Sequence, residues 1–469
     1  MRLKLYNTET RQQEEIVPLE DKKIRMYTCG PTVYNFAHIG NFRTYVFEDL
    51  LRRTLKYFGF EVTQVMNITD VEDKILVGAL HENKKLKEYT EPYEKAFFED
   101  LETLEIEKAE HYPAATDYIP QMIEIIEALI KKDVAYRGGD ESIYFSIKDF
   151  PSYGRLSHLN LEDLKMGASE RVGTDEYEKE NVADFVLWKA YDPKRDGEIF
   201  WESPFGKGRP GWHIECSAMA MSLLGKTIDI HVGGVDNIFP HHENEIAQSE
   251  AFSGKPFVKH WLHSEHLLVD HKKMSKSLGN FYTLRDLLEK GYTGPEVRYL
   301  LLTAHYRMQL NFTMEGLDAA RSSLERLGDF IQRLQKIETG KEGDVDSIIN
   351  KTRENFKEAL ADDLNISVAL AALFEMVRKI NHLCDEDQLG KRGAEKVLSF
   401  LHEIDVVLGF IPFEKPDLDI PKDLLEALRK REEARKEKNW AEADKQRDLI
   451  AGSGYLIEDT PSGPRLKKR

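Results

Sequence analysis

The sequence predicts an α/β protein in which an inserted segment interrupts a nucleotide-binding fold, and in which a helical region and a small C-terminal domain follow. Three observations lead to this prediction. A buried strand, an apolar-periodic helix and a second strand succeed one another within residues 24–71, at the spacing of a parallel βαβ unit. The same order returns within residues 227–270, and residues 315–410 have an almost purely helical periodicity.

The two βαβ-like stretches place loops at equivalent points of the predicted sheet. The first has a strand in "IRMYTCG", a helix that ends at Gly59 and a strand in "EVTQVMNITDV". The second has a strand in "TIDIHVGG", a helix from Pro240 to Phe252 that Gly254 ends, and a strand in "HLLVD" before a lysine-rich loop. In such folds ligands bind beyond the carboxyl ends of the strands, so the loops that follow the strands are where a site is expected.

The rest of the chain divides into domains where this alternation of strands and helices ends. One helix, residues 119–132, and then short strands with glycine-rich turns predict an inserted subdomain. After the predicted linker "IPFEKPDLDIP" come a charged helix, residues 423–436, a second helix from Trp440 and a strand-like end. The expected domains are residues 1–111 with 211–270, residues 112–210, residues 271–320, residues 321–410 and residues 411–469.

Composition narrows the class of protein. The chain has 469 residues and a net charge of −17, which argues against a non-specific grip on nucleic acid but leaves local basic patches open, such as residues 429–438 and the end of the chain. No apolar run approaches the ~18 residues of a membrane helix, and the start turns polar too early for a signal peptide, so we expect a cytoplasmic protein without a membrane partner. Cys29, Cys216 and Cys384 are too few and too far apart for a disulfide framework, so any cysteine chemistry is expected from thiols or metal ligation.

The stretch "FPHHENE" concentrates imidazoles and carboxylates. On a helix that starts at Pro240, His241 and Glu245 are four residues apart and share a face, and His242 and Glu245 nearly do. Such a face can hold a metal, pair a base with the group that orients it, or lie in water at a charged helix start. The stretch is not H-E-x-x-H, and its spacing alone does not choose among these alternatives.

A second candidate site is "PTVYNFAHIGNFR", where the first strand gives way to the first helix. Free backbone N–H groups at a helix start favour phosphate, and Gly40 lets a flat base approach the backbone. His38 can donate to a phosphate oxygen, with Asn41 beside it. The alternative is an ordinary loop with a surface histidine.

A third candidate is "KKMSKSLGN". Lys273 and Lys276 alternate with Ser275 and Ser277, and flexible ammonium groups beside hydroxyls suit a polyphosphate leaving group. The alternative is a basic surface loop. The two motifs in this order, each after a strand of one α/β fold, are more specific than either, and with them the chain resembles the class I aminoacyl-tRNA synthetases.

Within that class the chain resembles the cysteinyl-tRNA synthetase family along nearly its whole length. The stretches "MYTCGPTVYNFAHIGN", "NITDVEDKI", "GRPGWHIECSAM", "HVGGVDNIFPHHENEIAQSE", "KMSKSLGNF", "DDLNISVALAAL" and "KNWAEADKQRD" match its pattern. The resemblance implies a split Rossmann-like catalytic domain, an inserted connective subdomain, a helical bundle and an anticodon-binding end. It also implies an ATP-dependent ligase that acts on L-cysteine, ATP and tRNA(Cys), and a monomer is expected.

The resemblance also implies the site residues. One zinc per chain would be bound by Cys29, Cys216, His241 and Glu245, and Mg²⁺ would accompany ATP. Thiolate is a good ligand of zinc and a serine hydroxyl a poor one, which explains why a cysteine enzyme uses the metal for selectivity. The residues it implies for ATP are His38, Gly40, Asn41, Lys273, Ser275 and Lys276, with His38, Lys273 and Lys276 acting in the chemistry, and those for the amino-acid pocket are Thr69, Trp212 and His231.

The C-terminal domain is expected to contact the tRNA anticodon. Between residues 429 and 447 there are eight Lys or Arg against five Asp or Glu, a net charge of 8 − 5 = +3, and Trp440 lies among them. The resemblance adds Arg435, Asp444 and Asp459 as polar contacts. The alternative for Trp440 is a core anchor between the last two helices.

Two other functions of the whole protein stay open: a mycothiol-type ligase that joins cysteine to an amino sugar, and a synthetase paralogue without activity. Cys384 matches no ligand position.

Overall fold

The computed structural model describes residues 1–159, 184–275, 278–341, 343–413, 421–460 and 463–468. It divides into two compact units, Met1–Ile411 and Pro412–Arg469. The strands are β1 (Lys4–Asn7), β2 (Gln12–Glu15), β3 (Lys23–Thr28), β4 (Glu61–Met66), β5 (Ala135–Arg137), β6 (Ile143–Phe145), β7 (Phe185–Ala190), β8 (Gly208–Pro210), β9 (Ile228–Gly234), β10 (Val258–Ser264), β11 (Leu267–Val269), β12 (Lys272–Lys273), β13 (Leu310–Phe312), β14 (Tyr455–Thr460) and β15 (Gly463–Lys468).

The helices alternate with these strands in the first part of the chain and then follow one another without them. They are α1 (Ile39–Tyr57), α2 (Asp73–His81), α3 (Leu86–Thr103), α4 (Ile119–Lys131), α5 (Pro193–Asp196), α6 (Trp212–Leu224), α7 (Glu243–Ser253), α8 (Leu284–Glu289), α9 (Gly294–Leu302), α10 (Met314–Gln335), α11 (Val345–Ala361), α12 (Ile366–Asp385), α13 (Lys391–Leu408), α14 (Lys422–Lys436) and α15 (Trp440–Gly452).

A four-stranded parallel sheet in the order β10-β9-β3-β4 forms the centre of the first unit. Helix α1 connects β3 to β4 as the predicted βαβ crossover, and its apolar face, which includes Val46, Leu50 and Leu55, is buried. Tyr27 of β3 pairs with His231 of β9, so the carboxyl ends of these two strands lie side by side. The predicted α/β fold class is confirmed.

The segment between the two halves of the sheet has its own antiparallel sheet, β5-β6-β7-β8. Its apolar residues join the core of the parallel sheet: Ile126 of α4 and Trp188 of β7 belong to the same buried cluster as Trp261 of β10. The described residues within 315–410 form helices α10 to α13, as predicted, and each of these helices buries one apolar stripe.

The start of the helix after β9 differs from the prediction. Helix α7 begins at Glu243, and Ile238–His242 forms a wide turn in which Phe239 is extended, with φ −137° and ψ 130°. The helical conformation thus starts at Pro240 as predicted, after the extended Phe239, but the regular α-helix begins three residues later, at Glu243. The end is as predicted: Gly254 is left-handed, with φ 68°.

The second unit consists of α14, α15 and the hairpin β14-β15. A small core holds it together, and its buried apolar members are Leu424, Ala427, Ile450, Tyr455 and Leu466. The predicted helix, helix and strand-like end of the last domain are confirmed.

Candidate active site and metal centre

A cavity of about 610 Å³ opens where β3 and β9 end. Residues from all three candidate motifs line it, although they are far apart in the sequence. The predicted site residues among them are Cys29, His38, Gly40, Asn41, Thr69, Trp212, Cys216, His241 and Lys273.

His38 and Asn41 shape the start of α1 on one wall of this cavity. Nδ1 of His38 accepts a hydrogen bond from the Asn41 backbone N–H at 3.1 Å, and Oδ1 of Asn41 accepts one from the His38 backbone N–H at 3.1 Å. Each side chain thus caps the other's backbone at the first turn of α1. Asn41 therefore has a capping role, for which an imidazole at its position is not needed.

The lysine-rich segment lies against this helix start. The Ile39 backbone N–H donates to the Tyr282 carbonyl at 3.0 Å, and a Cβ on Gly40 would come within 3.1 Å of Cε of Met274. Lys273 ends the short strand β12 and faces the cavity, whereas Ser275 does not line it; its backbone N–H donates to Oδ1 of Asn280 at 2.8 Å. Lys276 and Ser277 lie outside the described residues.

Four side chains converge at the floor of the cavity as a candidate metal centre. The ligand atoms of Cys29, Cys216, His241 and Glu245 all lie within 4.8 Å of one another. Cys29 follows β3, but Cys216 lies in the second turn of α6, and His241 and Glu245 flank the start of α7. Cys29 and His241 thus come from segments that follow strands, whereas Cys216 and Glu245 lie on helices.

A second set of four, Cys29, His231, His242 and Glu245, is equally close together. The first set is favoured because Cys29, Cys216 and His241 line the cavity, whereas His231 and His242 are absent from its lining among the described residues. Nδ1 of His213 is 2.9 Å from Nδ1 of His241, and Nε2 of His231 is 2.9 Å from Oε2 of Glu245. Metal-binding imidazoles and carboxylates typically have such a partner behind them, which fixes their orientation.

His231 does not take the position that was expected for it. Its side chain is completely buried, and it is absent from the lining of the cavity in the described part of the chain. The expectation that His231 walls the amino-acid pocket finds no support in this lining; its Nε2 lies 2.9 Å from Oε2 of Glu245 instead. Trp212, by contrast, is 41% exposed, and its ring centroid is 4.2 Å from that of His241.

The donor atoms at the floor of the cavity suit a divalent cation. The hydrogen bond with Cys29 and burial raise the pKa of the Cys216 thiol well above its ordinary value. Burial alone would raise the pKa of Glu245, but His231 and His241 together lower it to about 2. Oε1 of Glu245 is buried and has no hydrogen-bond partner among the described residues, although Nε2 of His241 is 3.1 Å away. Two sulfurs, an imidazole nitrogen and a carboxylate oxygen are the donors that zinc prefers.

Comparisons with known proteins agree with this geometry. Residues 15–322 match the model of the tRNA synthetases class I (C) catalytic domain, and residues 355–412 match the DALR domain. The cysteine–tRNA ligase of Protochlamydia amoebophila is 64% identical over 100% of this chain and 98% of its own length, and that of Chlamydia muridarum is 59% identical over 100% of both. The chain belongs to the cysteine–tRNA ligase family.

Solved structures of the wider class share the fold of this family member. Methionyl-tRNA synthetase of Mycobacterium tuberculosis in complex with methionyl-adenylate has a TM-score of 0.62 at 14% identity, with 84% of this chain and 92% of that chain covered. The two alternative functions, the mycothiol-type ligase and the inactive paralogue, find no support in these comparisons. No helix in the described ranges is long and apolar enough to span a membrane.

In the second unit of this ligase-family chain, Trp440 is 60% exposed at the start of α15. The alternative in which Trp440 is a core anchor is therefore wrong. Arg435 lies 3.8 Å from Glu432, and Asp444 forms an ion pair with Arg447 at 3.1 Å. The side chain of Asp459 lies outside the described part of the structure.

The sequence analysis missed the residues behind the ligands. His213, Asn67 and Glu215 were not singled out, although all three occur inside the quoted stretches "NITDVEDKI" and "GRPGWHIECSAM". Glu215 directly precedes the candidate ligand Cys216, and this adjacency is a signal that could have found it, whereas His213 and Asn67 have no candidate ligand beside them in the sequence.

Proposed function

We propose that this protein activates L-cysteine with ATP and transfers the cysteinyl group to the 3′ end of tRNA(Cys). The observation that carries the proposal is that one cavity joins the candidate thiol-binding centre to the two phosphate-binding motifs. The test is cysteine-dependent exchange of pyrophosphate into ATP, followed by charging of tRNA(Cys). Exchange without charging of tRNA would contradict the second half of the proposal, and no exchange with cysteine would contradict all of it.

The reaction needs no protein nucleophile. A carboxylate oxygen of cysteine attacks the α-phosphorus of ATP, the bond to pyrophosphate breaks, and cysteinyl-adenylate forms. A ribose hydroxyl at the 3′ end of tRNA then attacks the carbonyl carbon, and AMP leaves with the electron pair of the broken bond while the hydroxyl proton is released. Positioning and charge stabilisation supply the rate in both steps.

The residues at the start of α1 and in the lysine-rich segment would hold ATP. We assign His38 and the backbone around Gly40 to the phosphates and the adenine, in a first turn that Asn41 caps. Lys273 and Lys276 would neutralise the departing pyrophosphate, and Mg²⁺ would accompany ATP as its usual counterion. Ser275 is assigned to the same segment, where its backbone holds the turn.

Cys29, Cys216, His241 and Glu245 would hold a zinc ion at the floor of the cavity. When bound, zinc supplies a preference for thiolate over hydroxyl, because it is a borderline-soft ion that binds thiolate well. Trp212 and Thr69 would confine the substrate beside this centre, since both line the cavity. His231 would hold the Glu245 carboxylate in place from behind, at 2.9 Å.

We further propose that residues 411–469 contact the anticodon, that residues 112–210 form the connective subdomain, and that residues 271–320 carry the lysine-rich loop and contact the tRNA stem. The helical bundle would be residues 321–410, and the protein would act as a monomer. Light scattering at micromolar concentration checks the oligomeric state, and a mass twice that of the chain would contradict it.

Lys276→Ala is expected to lower the rate of adenylate formation and to leave cysteine binding intact. The negative charge that Lys276 meets grows as pyrophosphate departs, so the interaction is strongest in the transition state. Losing one charge-assisted hydrogen bond of about 1.5–3 kcal/mol corresponds to roughly a 10- to 150-fold slower step. Pre-steady-state formation of cysteinyl-adenylate measures it. An unchanged rate with weaker cysteine binding would remove Lys276 from the ATP site.

Trp440→Ala is expected to raise the KM for tRNA and to leave cysteine-dependent pyrophosphate exchange and the melting temperature unchanged. The exposed ring is available to stack on an unpaired base, an interaction worth about 1–3 kcal/mol, or roughly 5- to 150-fold in affinity. Leu449→Ala is the matched control, because Leu449 lies on the same helix and is also exposed. An equal rise in the KM for tRNA in both variants would contradict a specific role of Trp440.

A further inference from the structure

The residues next to the two candidate cysteine ligands are joined by three hydrogen bonds in a row. The backbone N–H of Gly30, which follows the first cysteine, donates to Oδ1 of Asn67 at 2.9 Å. Nδ2 of Asn67 donates to Oγ1 of Thr69 at 3.1 Å, and the Thr69 hydroxyl donates to Oε2 of Glu215 at 3.3 Å. Glu215 immediately precedes the second cysteine, so each end of the row lies one residue along the chain from a candidate cysteine ligand.

The three side chains of this row are buried. Asn67 is 2% exposed, and Thr69 and Glu215 are 1% exposed each. The Thr69 hydroxyl has one proton, which it gives to Glu215, and it accepts from Asn67, so the row has a single direction. Because buried polar groups are costly to leave unpaired, each member holds its neighbours in place.

The row also crosses between elements that the backbone does not connect locally. Gly30 follows β3, Asn67 and Thr69 follow β4, and Glu215 lies in the first turn of α6. The two strands are neighbours in the parallel sheet, whereas α6 comes from beyond the inserted segment. The distance between the thiols of the two cysteines therefore depends on how α6 packs against the strand ends. The row of hydrogen bonds joins α6 to those strand ends.

We propose that Asn67, Thr69 and Glu215 are positioning residues that fix the placement of the Cys29 and Cys216 thiols, and with it the preference of the site for cysteine over serine. The inference rests on the proposed function and deepens it. Hydrogen-bond partners of metal ligands commonly change metal affinity or activity by about 10- to 100-fold when they are removed, and residues that hold the backbone beside the ligands are expected at the lower end of that range. A substrate thiol that shared a bound zinc ion with Cys29 and Cys216 would be sensitive to the placement of these two thiols. Cysteine and serine differ in the ligand atom and hardly in shape, so the selectivity would depend on the metal site.

Glu215 provides the sharpest test, because it is absent from the lining of the cavity among the described residues. Glu215→Met keeps the length of the side chain and removes the acceptor oxygen, and Glu215→Gln keeps an acceptor as the matched control. Each purified variant is loaded with Co²⁺ in place of zinc, and the thiolate-to-cobalt charge-transfer band is recorded with and without cysteine. Cysteine- and serine-dependent pyrophosphate exchange and the KM for ATP are measured on the zinc-loaded proteins.

We expect Glu215→Met to shift the charge-transfer band and to raise the KM for cysteine about tenfold, with the KM for ATP within about twofold of the wild type. The ratio of cysteine to serine activation should fall by a similar factor, and Glu215→Gln should restore both properties. A folded Glu215→Met protein with the wild-type band and the wild-type KM for cysteine would overturn the inference. Wild-type protein without cysteine-dependent exchange would instead overturn the proposed function, so the two failures are distinct.

Thr69→Val and Thr69→Ser form a second pair if Glu215→Met does not fold. Valine keeps the shape of threonine and breaks two links of the row, whereas serine keeps the hydroxyl. Because Thr69 also lines the cavity, this pair is compared by the cobalt spectrum without cysteine, which direct contact with the substrate does not affect. A shifted band for valine that serine restores supports the inference, and identical bands in both variants would overturn it.

Discussion

Cys216→Ser is expected to lose the metal and, with it, the activation of cysteine. We expect about one zinc per wild-type chain, held by four ligands, and less than about a tenth of that in the variant. The Cys216 side chain is 1% exposed and faces the thiol of Cys29. A serine hydroxyl there is a poor zinc ligand, because it remains neutral beside the Glu245 carboxylate. Elemental analysis of the purified proteins measures the zinc, and cysteine-dependent pyrophosphate exchange should fall by more than about 100-fold.

Cys384→Ser is the matched control for this experiment. Cys384 is half-buried near the end of α12 and belongs to neither candidate set of ligands, so its replacement should leave zinc content and activity unchanged. Full zinc occupancy in Cys216→Ser would contradict the first set of ligands. It would favour the second set instead, in which His231 and His242 replace Cys216 and His241.

The parts of the fold that the sequence predicted are those governed by local pattern. The β3–α1–β4 crossover follows from a buried strand, a helix with one apolar face and a glycine end, and each of these signals lies within a few residues. Proline favours the first turn of a helix and leaves the residue before it extended, and Phe239 and Pro240 follow both rules. Local rules did not show that the turn up to His242 is wider than an α-helical turn, so that the regular helix begins only at Glu243.

The candidate site shows how far local spacing reaches. His241 and Glu245 are four residues apart, so their spacing alone predicts that the two side chains meet. His231 and Glu245 also meet, but their contact depends on how the β9 strand and α7 pack, and no sequence spacing contains that information. The family resemblance implied that His231 walls the amino-acid pocket, yet His231 is absent from the lining of the cavity among the described residues. The row from Gly30 to Glu215 was missed for the same reason, since it joins three separate elements.

Gly30→Ala is expected to disable the site, since there is no space for a methyl group. A Cβ at Gly30 would lie 1.8 Å from the carbonyl oxygen of Asn67 and 2.9 Å from Cγ of Met66. The first clash is with backbone of the neighbouring strand end, which cannot rotate away, so the loop that carries Cys29 must move. A displacement of about 1 Å at reacting groups can cost about 100-fold in rate, and we expect at least that loss in cysteine-dependent pyrophosphate exchange.

Gly234→Ala separates this effect from the mere addition of a methyl group beside the cavity. Gly234 also lines the cavity, its φ of −81° suits alanine, and its nearest neighbour to a new Cβ is Oγ1 of Thr44 at 3.6 Å, an ordinary contact. We expect this variant to keep zinc and most of its activity. Gly30→Ala should lose zinc, and its free energy of unfolding should be lower by about 1–3 kcal/mol, as for other overpacked sites. Equal zinc content and equal exchange rates in the two variants would show that Cys29 tolerates a moved loop. The close packing of Gly30 against Asn67 would then have no part in placing the thiol.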